Sequence, residues 1–233
     1  MTSVHLHPAV AEAFPGTRIA LIAARGIRGT EPWPATAAAL ERLEGQLADG
    51  DWRPAGEDDP RIGVWHAAYR AFGTNPRRMR PSVDALGRRL AKQGVLPRIN
   101  PAVDSYNVVS VRHGLPAGAF DLAAVQGEVV IGFADGSEEF TPLGEPGTVE
   151  RPKEGEVIYR DAAGVLTRHW NHRDAHRTRV TEHSADALFL LETLAPDGEQ
   201  LAAAAGELEE LLAPHSATVT VRYLDPGHAR AEV

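Results

Sequence analysis

Apolar residues in the first half of the chain mostly recur every three or four positions, whereas in the second half they come in short runs. The change of period predicts helices first and strands after. One strand precedes the helices. Residues 17–26, TRIALIAARG, are apolar, β-branched near their start and closed by glycine, which reads as a buried strand. Residues 34–50 then show Leu40, Leu43 and Leu47 at helical spacing, with Pro34 in the first turn and Gly50 as a stop. In residues 59–73, Asp59 is the predicted cap and Pro60 the first helical position. Val64, Ala68, Ala71 and Phe72 share one side before Gly73. An arginine-rich loop, GTNPRRMRP, leads to a helix capped by Ser82 and ended by Gly94. The next helix has Asn100 as cap, Pro101 as its opening residue and Gly114 as its close. Val103, then Tyr106 or Asn107, then Ser110 fall about a turn apart; Asn107 on that face points inward with Val103 and Val111, and a buried amide needs partners.

After this helix the character changes. EVVIGF, EEF, EVIYRD, GVLTRHWN, TRVTE and ALFLLET are β-type runs separated by ADGS, GEPG, DAAG and HSAD turns. Residues 156–170 read as a hairpin whose turn is 161–164, with the returning strand running on through Trp170. The tail, from PDGEQLAAAAG onward, predicts one more helix and a last strand. Helices followed by strands, without regular alternation, give an α+β fold: helices of the first half packed on a mixed or antiparallel sheet from the second. No internal repeat or low-complexity linker divides the 233 residues, so a single domain is expected.

Composition removes several classes of chemistry. There is no cysteine, which excludes disulfides, thiolate metal sites and a cysteine nucleophile. The first residues, MTSVHLHPAVAEAF, lack the basic start and apolar core of a signal peptide, and IALIAA is far too short to span a bilayer. A cytoplasmic protein without a membrane partner is the expectation. The net charge of −8 argues against a general coat for DNA or other nucleic acid. It hides an asymmetry, however. Residues 70–98 hold seven arginines and Lys92 against Asp84 alone, a local +7 on a body that carries −15. Such a patch either is a solvated helix face or holds one specific polyanion.

The densest chemistry is RHWNHRDAHRTRVT, residues 168–181, with four arginines, three histidines and a tryptophan. On a helix His169, His172 and His176 would make a zinc triad. On the predicted strand Leu166, Arg168, Trp170 and His172 share one face, and His169 points the other way, so no metal is expected. Gly-x-Ser-x-Gly, a glycine-rich phosphate loop and His-Glu-x-x-His are all missing, so no nucleophile or cofactor motif is present. Arg168 and Trp170, with Arg173 and Asp174 after them, instead suit an amphipathic ligand with an anionic or carbonyl end, or surface ion pairs around a core tryptophan.

Residues 100–122, NPAVDSYNVVSVRHGLPAGAFDL, resemble the signature of the editing (B3/B4) domain of the bacterial phenylalanyl-tRNA synthetase beta subunit. Val103, Asp104 and Asn107 fall on that family's Val-Asp-x-x-Asn. Gly114, Pro116, Ala119, Phe120 and Asp121 fall on its Gly-x-Pro-x-His-Ala-Phe-Asp, and Thr178, Val180 and Thr181 on its Ser/Thr-x-Val-Thr. The likeness covers roughly residues 60 to 195 and is closer to free-standing members. It implies a trans-editing hydrolase that deacylates the aminoacylated acceptor end of a mischarged tRNA, or a non-catalytic module of the same fold that grips tRNA, a nucleotide or an amino acid. It implies Asn107 as the catalytic position and Asp104, Gly118, Asp121, Arg168, Trp170, Arg173, Arg177 and Thr178 around the substrate. Arg77, Arg78, Arg80, Arg88 and Arg89 would face the tRNA. Two departures stand out: Gly118 replaces the family's histidine, and Arg177 replaces the glutamate that senses a tyrosine hydroxyl. The site should therefore not select tyrosine by that contact.

Overall fold

The structure, a computed structural model, describes residues 2–195 and 198–233. Its strands are β1 (Ser3–Leu6), β2 (Arg18–Arg25), β3 (Ala117–Asp121), β4 (Val129–Phe133), β5 (Val157–Asp161), β6 (Gly164–Arg168), β7 (Arg173–Asp174), β8 (Asp186–Thr193), β9 (Thr218–Leu224) and β10 (Arg230–Glu232). Its helices are α1 (Pro8–Ala13), α2 (Pro34–Asp49), α3 (Pro60–Ala71), α4 (Ser82–Gln93), α5 (Pro101–His113) and α6 (Glu199–Leu212). The predicted α+β class holds. Pro196 and Asp197, which open the predicted C-terminal segment, lie outside the described residues.

The strands form two sheets. One has the order β3-β8-β2-β9 and is antiparallel throughout; the other has the order β10-β1-β4-β5-β6-β7 and is mixed, because β1 and β4 run parallel. Strands β2 and β8 are apolar on both faces because both faces are covered. Ala20, Ile22, Ala24, Phe189 and Leu191 join a core with α2, α5 and α6. Ile19, Leu21, Leu188 and Leu190 join a second core with Val129, Ile131, Val157 and Tyr159 of the six-stranded sheet and Trp65 and Tyr69 of α3. Helices α2, α5 and α6 cover one face of the four-stranded sheet, and the six-stranded sheet with α1 and α3 covers the other, with period-two alternation deciding which core each strand side chain enters.

Helix ends follow the expected chemistry with one exception. Asp59 Oδ1 accepts from the Arg61 N–H, and Asn100 Oδ1 accepts from the Val103 N–H at 3.0 Å. Left-handed Gly50, Gly94 and Gly114 close α2, α4 and α5. Ser82 does not cap α4. It is the first helical residue, and its hydroxyl donates instead to the Ala117 carbonyl at 3.2 Å, tying α4 to β3.

Three strand expectations are corrected. EEF makes only an isolated bridge between Phe140 and Glu150, and residues 178–182 are not a strand. The predicted hairpin turn at 161–164 is present, but β6 stops at Arg168 because His169 and Trp170 adopt left-handed φ of 48° and 67°. This breaks the alternation. Leu166 and Trp170 are in the core while Arg168 turns to glutamates, and the rings of His169 and His172 lie edge to face at 5.7 Å instead of pointing apart. The short elements β1, α1, β3 and β10 were not anticipated.

Candidate functional site

Alternation along β8 puts Glu192 in phase with Leu188 and Leu190, so an acid sits where the strand faces the core between the sheets. A cavity of about 340 Å³, counted to its open mouth, lies there. Gly118 and Phe120 of β3, Ser82 of α4, and the segment from Trp170 to Asp174 form its walls, and Tyr159 and Glu192 are also among its lining residues.

Both oxygens of Glu192 are held. The Tyr159 hydroxyl donates to Oε1, and Asn171 Nδ2 donates to Oε2 at 2.6 Å. Tyr69 in turn donates its hydroxyl to Asn171 Oδ1 at 2.8 Å. Burial pushes the Glu192 carboxyl up to about 7, although Tyr159, Asn171 and the nearby Trp170 indole pull the other way. Trp170 itself is fully buried, and its Nε1 completes no hydrogen bond among the described residues. Asp174 is the second acid of the cavity. Thr167 Oγ1 donates to its Oδ1 at 2.8 Å, while Oδ2 takes no hydrogen bond among the described residues. Burial raises this carboxyl to about 6. Gly118 leaves the approach to it open: a Cβ there would stand 3.7 Å from both Asp174 oxygens.

His172 and Arg173 line this cavity and also a neighbouring hollow that holds Met79, Phe140, Glu150, Arg168 and His169. His172 Nδ1 is 2.7 Å from the Arg80 carbonyl oxygen, and Arg173 Nη2 donates to Glu145 at 2.7 Å and to the Leu143 carbonyl at 3.1 Å. The Ser82 N–H donates to the Asn171 carbonyl at 3.0 Å. These contacts fasten the arginine-rich loop before α4 to the cavity wall. Arg78, Arg88 and Arg89 are exposed beside it, and Arg77 is 73% exposed. Arg77, Arg80 and Arg88 all approach Glu57, and Arg80 also donates to fully buried Asp84 at 2.8 Å. Part of the local +7 is thus neutralised from outside the window that defined it.

Of the residues singled out from sequence, Gly118, Trp170 and Arg173 meet at this cavity, with Asp174. The others stand elsewhere. Asn107 is half-buried on α5, whose buried valines enter the core shared with α2 and α6; it does not line the cavity and makes no side-chain hydrogen bond among the described residues. Asp104 accepts from the Ile99 N–H, holding the start of α5. Asp121 accepts from the Ala123 N–H and from Ser184 Oγ. Arg168 is clamped by Glu150 and Glu156 at 2.6 and 2.8 Å. Arg177 is paired with Asp161, whose side chain is fully buried, and also donates to the Ala124 carbonyl. Thr178 is fully buried. Tyr159, Asn171 and Glu192 were missed, and His172 was weighed only as a zinc ligand. The available signal was an acid or phenol in phase with the apolar face of a strand, which demands partners inside.

A 102-residue stretch is 36% identical to the phenylalanine–tRNA ligase beta subunit of Nocardia farcinica (strain IFM 10152), covering 43% of this chain and 12% of that protein. The chain thus spans only a small part of that relative's length. A crystal structure of an N-terminal fragment of the phenylalanyl-tRNA synthetase beta subunit from Pyrococcus horikoshii matches 94% of this chain and 50% of that one, with TM-score 0.48 and 14% identity. The model of the B3/4 domain matches residues 64–209, more than half of the sequence and the whole of the cavity wall, and the chain belongs to the B3/4 domain family.

Proposed function

We propose that this chain hydrolyses the ester of an aminoacyl-tRNA, taking the aminoacyl end into the cavity while the arginine-rich segment holds the phosphates beside it. One observation carries the reading: an acidic, partly desolvated cavity is fastened directly to a basic loop through Arg80, Ser82, Asn171 and His172. An aminoacyl ester carries an ammonium group at the end of a polyanion, so a site for it is served by opposite charges near one another. Asp174, with Oδ2 free, offers the partner for the ammonium. The ester is already activated, so a positioned water and oriented dipoles suffice and no covalent nucleophile is required. The relationship to the ligase beta subunit supports the same class of substrate.

The test is a panel of tRNA samples, each esterified with one standard amino acid and incubated with the protein. At least one sample should be deacylated well above its spontaneous rate. Gly118→Leu, which fills the approach to Asp174, should abolish that activity, whereas Asn107→Ala should leave it within about twofold because Asn107 is not at the wall. Saturable tRNA binding without turnover of any sample would favour the non-catalytic module instead.

A further inference from the structure

We propose that His172 is the general base of this site, using its Nε2 to take a proton from the hydrolytic water. The inference rests on the reading of the cavity as an ester-hydrolysing site, but the geometry that picks out His172 does not depend on it. A carbonyl oxygen can only accept, so the 2.7 Å contact between His172 Nδ1 and the Arg80 carbonyl requires the proton on Nδ1. The neutral ring therefore keeps a lone pair on Nε2. That atom takes no hydrogen bond among the described residues and is not a sealed interior atom, while the ring lines both the cavity and the adjoining hollow. A fixed tautomer with a free acceptor is what a base at neutral pH requires.

The groups facing the ring keep it neutral. Burial lowers its proton affinity most, and Arg173 and Arg168 lower it further. The Arg80 carbonyl and Glu156 act in the opposite direction without cancelling the fall. His169, whose ring is 5.7 Å away, is itself driven down to about 4 by burial and adds no fixed positive charge near neutrality. In the same cavity Asp174 and Glu192 titrate, but Glu192 spends both oxygens on Tyr159 and Asn171. Asp174 has the free oxygen and takes the ammonium. The two tasks, holding the cation and moving the proton, then fall to different side chains.

In the step itself a water O–H proton passes to Nε2 as the water oxygen bonds to the ester carbonyl carbon, and the carbonyl π pair moves onto its oxygen. Collapse expels the ribose oxygen, which takes the proton back from the imidazolium. The products are the free amino acid and a tRNA with a free hydroxyl, and the imidazole returns to its starting state.

The experiment is single-turnover deacylation, over a range of pH, of the best substrate from the tRNA panel. His172→Asn keeps an amide donor near the Arg80 carbonyl and removes Nε2. It is expected to slow the reaction by about 100-fold, in the range for loss of a general base, with thermal unfolding unchanged. The wild-type rate should fall at low pH through an ionisation below the ordinary histidine value. Asp174→Asn should keep that limb and His172→Asn should lose it. In His172→Ala, added imidazole should restore a substantial part of the rate, which a merely structural histidine would not allow. If the wild type turns over substrate and His172→Asn matches it in rate and pH profile, the assignment of the base is wrong and the hydrolytic reading stands. If no sample of the panel is deacylated, the hydrolytic reading falls and this assignment falls with it.

Discussion

Glu192 illustrates how one side chain can couple the site to stability. Burial lifts its carboxyl from 4.5 to about 7, so between those values the native chain binds a proton that the unfolded chain has lost. Stability from this group is complete below 4.5 and declines as pH rises through about 7. His169 runs the other way. Burial takes its imidazole from 6.5 down to about 4, so its contribution is full above 6.5 and is lost as pH falls toward 4. Opposed slopes of this kind flatten the wild-type curve and hide each group. The difference between wild type and Glu192→Gln removes the common part. Urea unfolding at pH 5 and pH 8 should show the variant gaining on the wild type at the higher pH, and a difference that is the same at both would refute the elevated carboxyl. Arg168 makes the opposite case. It is clamped by the almost wholly buried Glu156, and although burial alone would raise that carboxyl, Arg168 and His169 hold it below the usual range. This explains why an arginine that looked like a ligand-binding group is committed to the frame.

Among the elements, helices α2 to α5 were legible because they carry local punctuation: Asp59 and Asn100 as caps of α3 and α5, prolines in the first turns of α2, α3 and α5, glycines closing α2, α4 and α5. The long apolar strands β2 and β8 were legible for the same local reasons. The end of β6 was not. Val165, Leu166, Thr167 and Trp170 are all strand formers, and nothing in their spacing announces two successive left-handed residues. Such backbone costs on the order of 1–3 kcal/mol per residue and persists only when its surroundings over-determine it. Here Trp170 is fixed edge-on against Phe14 and Trp65 at 5.0 and 5.3 Å, and the His169 N–H is held by Glu156. Those partners come from three separate parts of the chain, so the reversal is a tertiary event. It is also what gathers the site, turning Trp170 and Asn171 inward and His172 toward the Arg80 carbonyl. β3 escaped notice because Ala117–Gly118–Ala119 has little strand character of its own and is held by β8 and Ser82. Helix α5 permits a clean test of local signals against tertiary ones. Asn100 caps it through Oδ1 and reaches the Val180 carbonyl through Nδ2 at 3.2 Å. Asn100→Ala loses both bonds and should cost about 1–2 kcal/mol in urea unfolding. The rate of any deacylation should be unaffected below the melting transition. A loss well below about 0.5 kcal/mol would mean that packing alone sets the start of this helix.

On the scale of the whole molecule, charge is sorted so that an acidic body carries one basic strip next to an acidic cavity. The strip is less basic than its sequence, because Glu57 and Asp84 draw in Arg77, Arg80 and Arg88, and Glu44 pairs with Arg98. Among the described residues Arg70, Arg78, Arg89 and Lys92 of the strip remain exposed without a carboxylate partner. They are the cations free to replace counterions on a phosphate backbone, whereas Arg98 would first have to leave Glu44. Arg78→Glu and Arg89→Glu should therefore each weaken tRNA binding by a similar factor for every tRNA tested, because phosphates carry no sequence. Each should also make the dependence of log affinity on log salt shallower by about one unit. Arg98→Glu should leave both affinity and slope unchanged. Filter binding across a salt series distinguishes these outcomes. If all three reversals act alike, the attraction comes from the net charge of the strip and not from its unpaired members; if none acts, the phosphates lie elsewhere and the cavity faces its substrate without this strip.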